Sequence, residues 1–293
     1  MKSFALTALT LLTSVQGMAC TADGHFLPES DTRIPADQKV MVSGITEAAF
    51  NRVISRIEGI YAPLVRAEGG RLRLVRLWQE DKVNARAHRL VSRAWTVEMF
   101  GGLARHPAMT EDGLALVMCH EIGHHIGGAP KRPAELGEEM TWASNEGQSD
   151  YFATLKCLRR VFRDDDNASA ARAAGVPATL RSACTRAFPR TREANLCIRS
   201  AMAGQAVANL FHSESPLRTR TMAPAFNTPS RFATAVTFNG HPPAQCRLDT
   251  YLQGALCAAP LDDDVDQEDA LEGTCNAPAA RGVRPACWYR ASR

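Results

Sequence analysis

The stretch Val117–His125, with the sequence VMCHEIGHH, decides how the rest of the chain is organised. Residues four apart on an α-helix lie one above the other on the same face, so His120 and His124 can direct two imidazoles at one metal ion. Glu121 projects beside them, where its carboxylate can act as general base on a water molecule at that ion. The alternative is an ordinary helix with histidines on its surface.

The residues around this motif are typical of a helix over positions 111–126. Thr110 is a suitable N-cap, and Glu111 places negative charge in the first turn. Apolar residues at helical spacing supply a buried face, namely Leu114, Val117, Met118 and Ile122. Glycines from Gly127 onward, followed by Pro130, end the helix. In an extended strand the two histidines of the motif would lie about 13 Å apart and could not share an ion.

A catalytic zinc ion needs a third protein ligand and an open position for water. The metzincin continuation of the motif is excluded, because Pro130 stands where its last histidine would be. Glu146 and Asp150 lie one turn apart on a second expected helix, so Glu146 is predicted to bind the metal and Asp150 to accept the spare N–H of a ligating histidine. The alternative is two acidic residues on a solvated helix face. Glu138 and Glu139 are less favoured ligands, because they precede the helix and have no partner carboxylate one turn on.

With these residues in place, the chain resembles the gluzincin metallopeptidases. Asn145–Phe152, NEGQSDYF, is similar to the second zinc helix of thermolysin-like enzymes. His241–Arg247, HPPAQCR, resembles the His-Pro…Arg element of the HtpX and CAAX-type zinc endopeptidases. The resemblance implies that His120, His124 and Glu146 are the zinc ligands. It also implies that His241 and Arg247 lie near the scissile carbonyl.

His241 and Arg247 are candidate catalytic residues with separate parts. A histidine held at the end of a loop can direct an N–H at the oxyanion that forms during hydrolysis. Arg247, in the second turn of the expected helix, can reach back as a fixed cation or orient His241 through the loop backbone. The alternative is a surface histidine at a helix start and an ordinary ion pair of the arginine.

The remaining pattern predicts an α+β, helix-rich zincin-like fold with a small sheet and a disulfide-braced C-terminal helical region. Helices and strands are expected at Thr46–Ala67, Arg71–Trp78, Arg89–Phe100, Ala178–Ala187, Arg192–Phe211 and Pro243–Leu256. The resemblance implies that the strand before the metal-binding helix takes a peptide on its edge, for which Thr96–Phe100 is the candidate. An internal strand without a ligand role is the alternative.

The first 19 residues predict a secretory signal peptide. Lys2 precedes an apolar run over residues 4–15, and small residues stand at Gly17 and Ala19 before the expected cut. The run is too short to span a bilayer, and no later stretch is long enough. Acylation of Cys20, which would anchor a lipoprotein, is the alternative, less favoured because Gly17 suits that position poorly. We therefore expect an exported protein, periplasmic or extracellular, with residues 20–293 forming one domain.

The nine cysteines support export, since disulfides persist in oxidising compartments. An odd number leaves at least one cysteine outside the disulfides within the chain. We expect Cys119 to be the free thiol, because it adjoins His120 on a buried helix. Cys246 and Cys257, if they lie on one helix, are about 16 Å apart, beyond the reach of a disulfide. Most cysteines follow Glu146, so the C-terminal third is expected to be stapled.

Together these features predict an exported zinc-dependent endopeptidase with a peptide or protein substrate. The formal net charge of +3 is too small to indicate a nucleic acid partner, and 45% hydrophobic with 22% charged residues is typical of a globular protein. Two alternatives stay open: a non-peptidase zinc hydrolase acting on cell-wall peptides, and a secreted binding module with structural zinc. The second is disfavoured, since structural sites are normally closed by four protein ligands with cysteine prominent.

Overall fold

The computed structural model describes residues 25–28, 30–37, 45–89, 93–133, 140–173, 175–277 and 280–291. It is helix-rich, with 45% of the residues helical, and carries two small sheets, so the coarse α+β prediction is confirmed. The predicted signal peptide, Cys20 and the rival ligands Glu138 and Glu139 lie outside the described residues. In the described part of the chain, no helix has the length and apolarity that crossing a membrane requires.

The first helix, α1, runs over Glu47–Ala67 and is preceded by its N-cap Thr46. The Thr46 hydroxyl accepts a hydrogen bond from the Ala49 amide at 3.2 Å, which satisfies one of the free N–H groups of the first turn. Apolar residues at helical spacing form its buried face, including Phe50, Ile54, Ile57 and Tyr61. The prediction of a helix over Thr46–Ala67 is therefore confirmed, and Pro63 lies inside it without ending it.

The main sheet has three strands, β1 (Arg71–Leu77), β2 (Ala85–Arg89) and β3 (Ala94–Phe100), in the order β1-β3-β2. The prediction that Thr96–Phe100 offers a free edge is wrong, because Thr96 pairs with Arg73 of β1 on one side and with His88 of β2 on the other. The single strand expected within residues 89–100 is in fact the end of β2 and the whole of β3. In this order β3 lies in the middle of the sheet, and β1 and β2 are its edge strands.

A short helix, α2 (Gly101–Arg105), follows β3 at once. A Cβ atom on Gly101 would lie 1.8 Å from the Trp78 carbonyl oxygen, and one on Gly102 would lie 2.0 Å from the Asp81 carbonyl oxygen. Only glycine allows the backbone to approach this closely. The Gly-Gly pair therefore packs the start of α2 against the loop after β1.

Helix α3 (Glu111–Ile126) has the bounds predicted from the sequence. The Thr110 hydroxyl accepts a hydrogen bond from the Gly113 amide at 3.0 Å, as expected of an N-cap. Every residue from Gly113 to Ile126 is buried, because α3 packs against α1, the main sheet and the helices that follow. The helix that carries the histidine motif is thus the centre of the fold.

After α3 the chain forms a hairpin of β4 (Lys131–Pro133) and β5 (Met140–Ser144), which was not predicted. Helix α4 (Glu146–Phe152) follows, with the Asn145 side chain accepting from the Gln148 amide at 2.8 Å. It continues through a π-helical turn, Ala153–Cys157, into α5 (Leu158–Val161). The second expected helix is therefore present and begins at Glu146.

Four more helices complete the described fold: α6 (Asn167–Arg172), α7 (Ala178–Ala187), α8 (Thr191–Glu214) and α9 (Ala244–Leu256). Helix α7 has the predicted bounds, and α8 and α9 differ from prediction by a few residues at their ends. Helix α8 packs against α3 and α9, and α9 packs against α4 and the π-helical turn. The C-terminal third therefore reaches the two helices that carry the candidate metal ligands.

Among the described residues, disulfides join four pairs of cysteines: Cys119–Cys157, Cys184–Cys197, Cys246–Cys287 and Cys257–Cys275. The prediction that Cys119 is a free thiol is wrong. Adjacent residues on a helix point about 100° apart, so Cys119 faces the π-helical turn while His120 faces Glu146. Cys246 and Cys257 do not pair with each other, as expected, and both brace the C-terminal third.

Candidate metal centre

The histidines of α3 meet the first residue of α4. His120 Nε2 lies 3.3 Å from Glu146 Oε2, and His124 Nε2 lies 3.6 Å from Glu146 Oε1. All three side chains are buried, and one ligand atom from each lies within 4.8 Å of the others. The structure therefore brings together the three predicted ligands as a group that could hold a metal ion.

In the imidazoles of His120 and His124, the nitrogen that points away from Glu146 makes a hydrogen bond. This bond determines which ring nitrogen carries the proton and which keeps a lone pair. His120 Nδ1 donates to the Asp150 carboxylate at 2.7 Å, and His124 Nδ1 donates to the Ser144 carbonyl at 2.8 Å. Because these oxygens only accept, the proton of each neutral ring is on Nδ1 and the lone pair is on Nε2. Two lone pairs and a carboxylate thus converge, and neither Nε2 nor either Glu146 oxygen has a hydrogen bond among the described residues. A cation between them would satisfy all three groups.

The surroundings favour the protonation state of a metal ligand at His124 and Glu146, and the opposite state at His120. Burial lowers the pKa of His124 to about 4, so this imidazole is neutral at neutral pH. Burial by itself would raise the pKa of Glu146, but the neighbouring histidines, His241 foremost, hold it well below its usual range. Burial likewise disfavours a charged His120, but Asp150 and Glu146 outweigh it and raise the pKa to about 9. A proton on His120 therefore competes with a metal ion for the same nitrogen.

Glu121 is fully buried beside the ligands, and neither of its carboxylate oxygens has a hydrogen-bond partner among the described residues. Burial raises its pKa to about 8, and the charge of His120 opposes this shift. A carboxyl group with a pKa near neutrality can both accept and return a proton in that range. The geometry is therefore compatible with the predicted part of a general base.

Asp150 holds the ring of His120 and is itself held from α9. Its Oδ1 atom accepts hydrogen bonds from His120 Nδ1, from Arg247 Nη2 at 2.6 Å and from the Tyr251 hydroxyl at 2.7 Å. Arg247 Nη1 lies 3.6 Å from Glu146 Oε2. Arg247 thus reaches back to the centre as a fixed cation, one of the two arrangements expected from the sequence. Tyr251 was not predicted, although its position one turn after Arg247 was a usable signal.

His241 lies at the rim of the centre, just before α9. Its Nε2 atom is 3.4 Å from Glu146 Oε2 and donates to the His25 carbonyl at 3.0 Å. This ring nitrogen must carry the proton, because a carbonyl oxygen only accepts. The structure therefore places His241 beside Glu146, and its part in catalysis stays a prediction.

The last histidine of the motif stretch, His125, points away from the ligands. Its Nε2 atom donates to the Thr96 carbonyl of β3 at 3.2 Å, and its ring stacks on Trp95 and on Trp142. The Arg89 guanidinium lies 3.6 Å from the centre of the Trp95 ring and donates to the His125 carbonyl. His125 therefore anchors the end of α3 to the sheet and to β5.

The centre has three candidate protein ligands, the number typical of catalytic zinc sites, whereas structural sites usually have four with cysteine prominent. The eight cysteines of the described residues are all in disulfides, so none supplies a thiolate to the centre. Comparisons of the chain with models of protein families, with curated proteins and with solved structures find no match.

Proposed function

We propose that this protein is an exported zinc-dependent endopeptidase of the gluzincin type. One observation carries the proposal: the lone pairs of two imidazoles and the carboxylate of Glu146 converge in a buried place beside an unpartnered carboxylate, Glu121. Two imidazoles and one carboxylate form the ligand set of several catalytic zinc sites. Zinc held there would supply Lewis acidity, which polarises a carbonyl group and lowers the pKa of water.

Side chains of the protein have the other roles in the proposed reaction. Glu121 takes a proton from the attacking water and gives it to the leaving amine. His241 directs its Nε2–H at the oxygen of the scissile carbonyl, where negative charge develops. Asp150, held by Arg247, keeps the His120 ring in the orientation and tautomer of a ligand.

Four disulfides in the described residues support the proposal of export, because cytosolic thiols are kept reduced. Together with the predicted signal peptide, they favour the periplasm or the extracellular space. A binding module with structural zinc is disfavoured by the lack of a cysteine ligand in the described chain. A hydrolase of cell-wall peptides would use the same residues, and only its substrate would differ.

The test combines metal analysis with cleavage of a peptide library by the purified full-length chain. We expect about one zinc ion per chain and cleavage within peptides, both lost after chelation and restored by zinc. Glu121→Gln is the matched control, since it should keep the metal and lose cleavage. A chain that binds zinc tightly and cleaves neither library peptides nor cell-wall peptides would contradict the proposal and favour a binding protein.

A further inference from the structure

Residues near the start of the described chain lie along the outer side of the edge strand β2. His25 pairs antiparallel with Arg86, and the Phe26 amide donates to the Ala85 carbonyl at 2.9 Å. These bonds join residues 25 and 26 to the edge of the three-stranded sheet as an isolated β-bridge. Addition of an extended segment to a sheet edge is a general way to bind peptides.

The buried side chain of Asn84 also binds this segment. The Asn84 side-chain oxygen accepts from the Leu27 amide at 3.0 Å, and its nitrogen donates to the Leu27 carbonyl at 3.2 Å. The side chain of Asn84 is fully buried, and its oxygen also accepts from the Ala85 amide at 2.9 Å. Both bonds to Leu27 go to backbone atoms, so they hold this segment without regard to the side chain at position 27.

The peptide bond between His25 and Phe26 lies beside His241, at the rim of the candidate metal centre. The His25 carbonyl accepts from His241 Nε2, the nitrogen that lies 3.4 Å from Glu146 Oε2. On the other side of the bond, the ring of Phe26 meets the ring of His120 edge-on, with the centroids 4.9 Å apart. The carbonyl therefore faces the candidate oxyanion donor, while the amide is held by the edge strand.

A pocket of defined chemistry receives the Phe26 side chain, which is fully buried. The ring of Phe211 meets it edge-on at 5.0 Å, and the Arg247 guanidinium lies 5.0 Å from its centre. Aromatic edges and a cation over a ring face both favour an aromatic occupant. The pocket therefore selects a large apolar side chain, aromatic above all.

We propose that residues 25–27 occupy the place of the substrate, and that the His25–Phe26 peptide bond is cleaved by the chain's own metal centre. The inference rests on the proposed function and names its substrate class: a peptide with an aromatic residue directly after the scissile bond. In the step, the oxygen of water bonds to the His25 carbonyl carbon and the bond from that carbon to the Phe26 nitrogen breaks. One proton of the water goes to that nitrogen and the other follows from the new carboxyl group, so the products are a His25 carboxylate and a protonated Phe26 amine.

The first experiment compares the zinc-loaded full-length protein with its Glu121→Gln variant by intact mass and N-terminal sequencing after incubation. We expect the wild-type chain to begin at Phe26 and the variant to keep the residues before it. A wild-type chain that keeps an intact His25–Phe26 bond would overturn the inference and leave residues 25–28 with a structural role only. Cleavage at this bond in the variant would overturn it too, because another protease would then be responsible.

Library cleavage by the same preparation separates this inference from the proposed function. A protein that cleaves library peptides but leaves His25–Phe26 intact contradicts the self-cleavage alone. A zinc-loaded protein that does neither contradicts both proposals. Among library peptides, those with an aromatic residue after the cut should be cleaved at least about tenfold faster than those with an acidic residue there, since a buried apolar pocket rejects charge.

Substitutions at position 26 test the pocket within the chain itself. Phe26→Leu should retain self-cleavage, and Phe26→Asp should lose it, with thermal unfolding measured for both to separate lost fit from lost fold. Equal cleavage of both variants would contradict the part assigned to the pocket. Since the comparison of wild type with Glu121→Gln needs no change at position 26, the inference is tested even when a variant fails to fold.

Discussion

Arg247 and Asp150 form an ion pair that is completely buried, with Arg247 Nη2 donating to Asp150 Oδ1 at 2.6 Å. The pair connects α9, in the C-terminal third, to the residue that orients His120. Breaking a buried pair by removing one partner is costly, because the other charge is left in the interior. The candidate metal centre therefore depends on residues about 100 positions away in the sequence, as the separation of 97 between these two shows.

Removing the general base should stop hydrolysis without disturbing the metal. Glu121→Gln keeps the size of the side chain and removes its basicity, so kcat should fall by roughly 10²- to 10⁴-fold. Zinc content and thermal unfolding should stay close to wild type, since Glu121 is not a candidate ligand. Glu68→Gln, a change at an exposed carboxylate, is the control. Turnover near that of wild type would remove Glu121 from the mechanism.

Removing the third ligand should release the metal. Glu146→Ala leaves two imidazoles as ligands, and the zinc content after dialysis should fall well below that of wild type. Glu138→Ala and Glu139→Ala should keep their zinc, because these carboxylates are the less favoured candidates. Metal analysis of the three dialysed variants checks this. If the metal is instead lost from Glu138→Ala or Glu139→Ala alone, the third ligand must be reassigned.

Substitutions at Asp150 and Tyr251, which hold the His120 ring in place, should weaken metal binding to different extents. Asp150→Asn removes the charge that faces both His120 and Arg247, so zinc affinity should fall about 10- to 100-fold, with about 3–5 kcal/mol lost from the free energy of unfolding. Tyr251→Phe removes one hydrogen bond and keeps the ion pair, so about 1 kcal/mol should be lost. Competition with a chelator and denaturant unfolding measure both effects. Equal losses in the two variants would contradict the central position of the ion pair.

Removing the disulfide next to the motif should affect stability and metal binding together. Cys119→Ala combined with Cys157→Ala opens a crosslink between residues 38 positions apart, at a cost of about 2–4 kcal/mol in unfolding. Because this bridge joins the helix of His120 to the continuation of α4, zinc should also dissociate faster. The control is the double alanine variant at Cys184 and Cys197, in the cluster around α7 and α8, which should lose stability but retain zinc. The same zinc loss in both would show a general effect of destabilisation.

Removing the candidate oxyanion donor should act on the rate. His241→Ala is expected to lower kcat by roughly 10²- to 10³-fold, the cost of losing one such donor, with KM and zinc content little changed. His212→Ala, at the end of α8, is the control. Steady-state kinetics on metal-replete protein provide the measurement. An unchanged kcat would mean that the C-terminal third supports the ligands without completing the site.

Much of the candidate centre could be predicted because its signals are local. The bounds of α3 follow from the Thr110 cap, the helical spacing of its apolar residues and the glycines at its end. The shared face of His120 and His124, and that of Glu146 and Asp150, follow from a separation of four on a helix. Each of these relationships involves residues within one or two turns, so a short stretch of sequence is enough to specify them.

The sequence by itself therefore determined the helices, their caps and the residue types of the centre. The tertiary structure decided what lies beside them: β2 rather than β3 at the sheet edge, Cys157 as the partner of Cys119, and Phe26 against His120. These contacts join residues that are far apart in the chain, and several partners with equal local signals compete for each. The choice among them depends on how all the helices and strands bury their apolar faces at once, which no single stretch of sequence specifies.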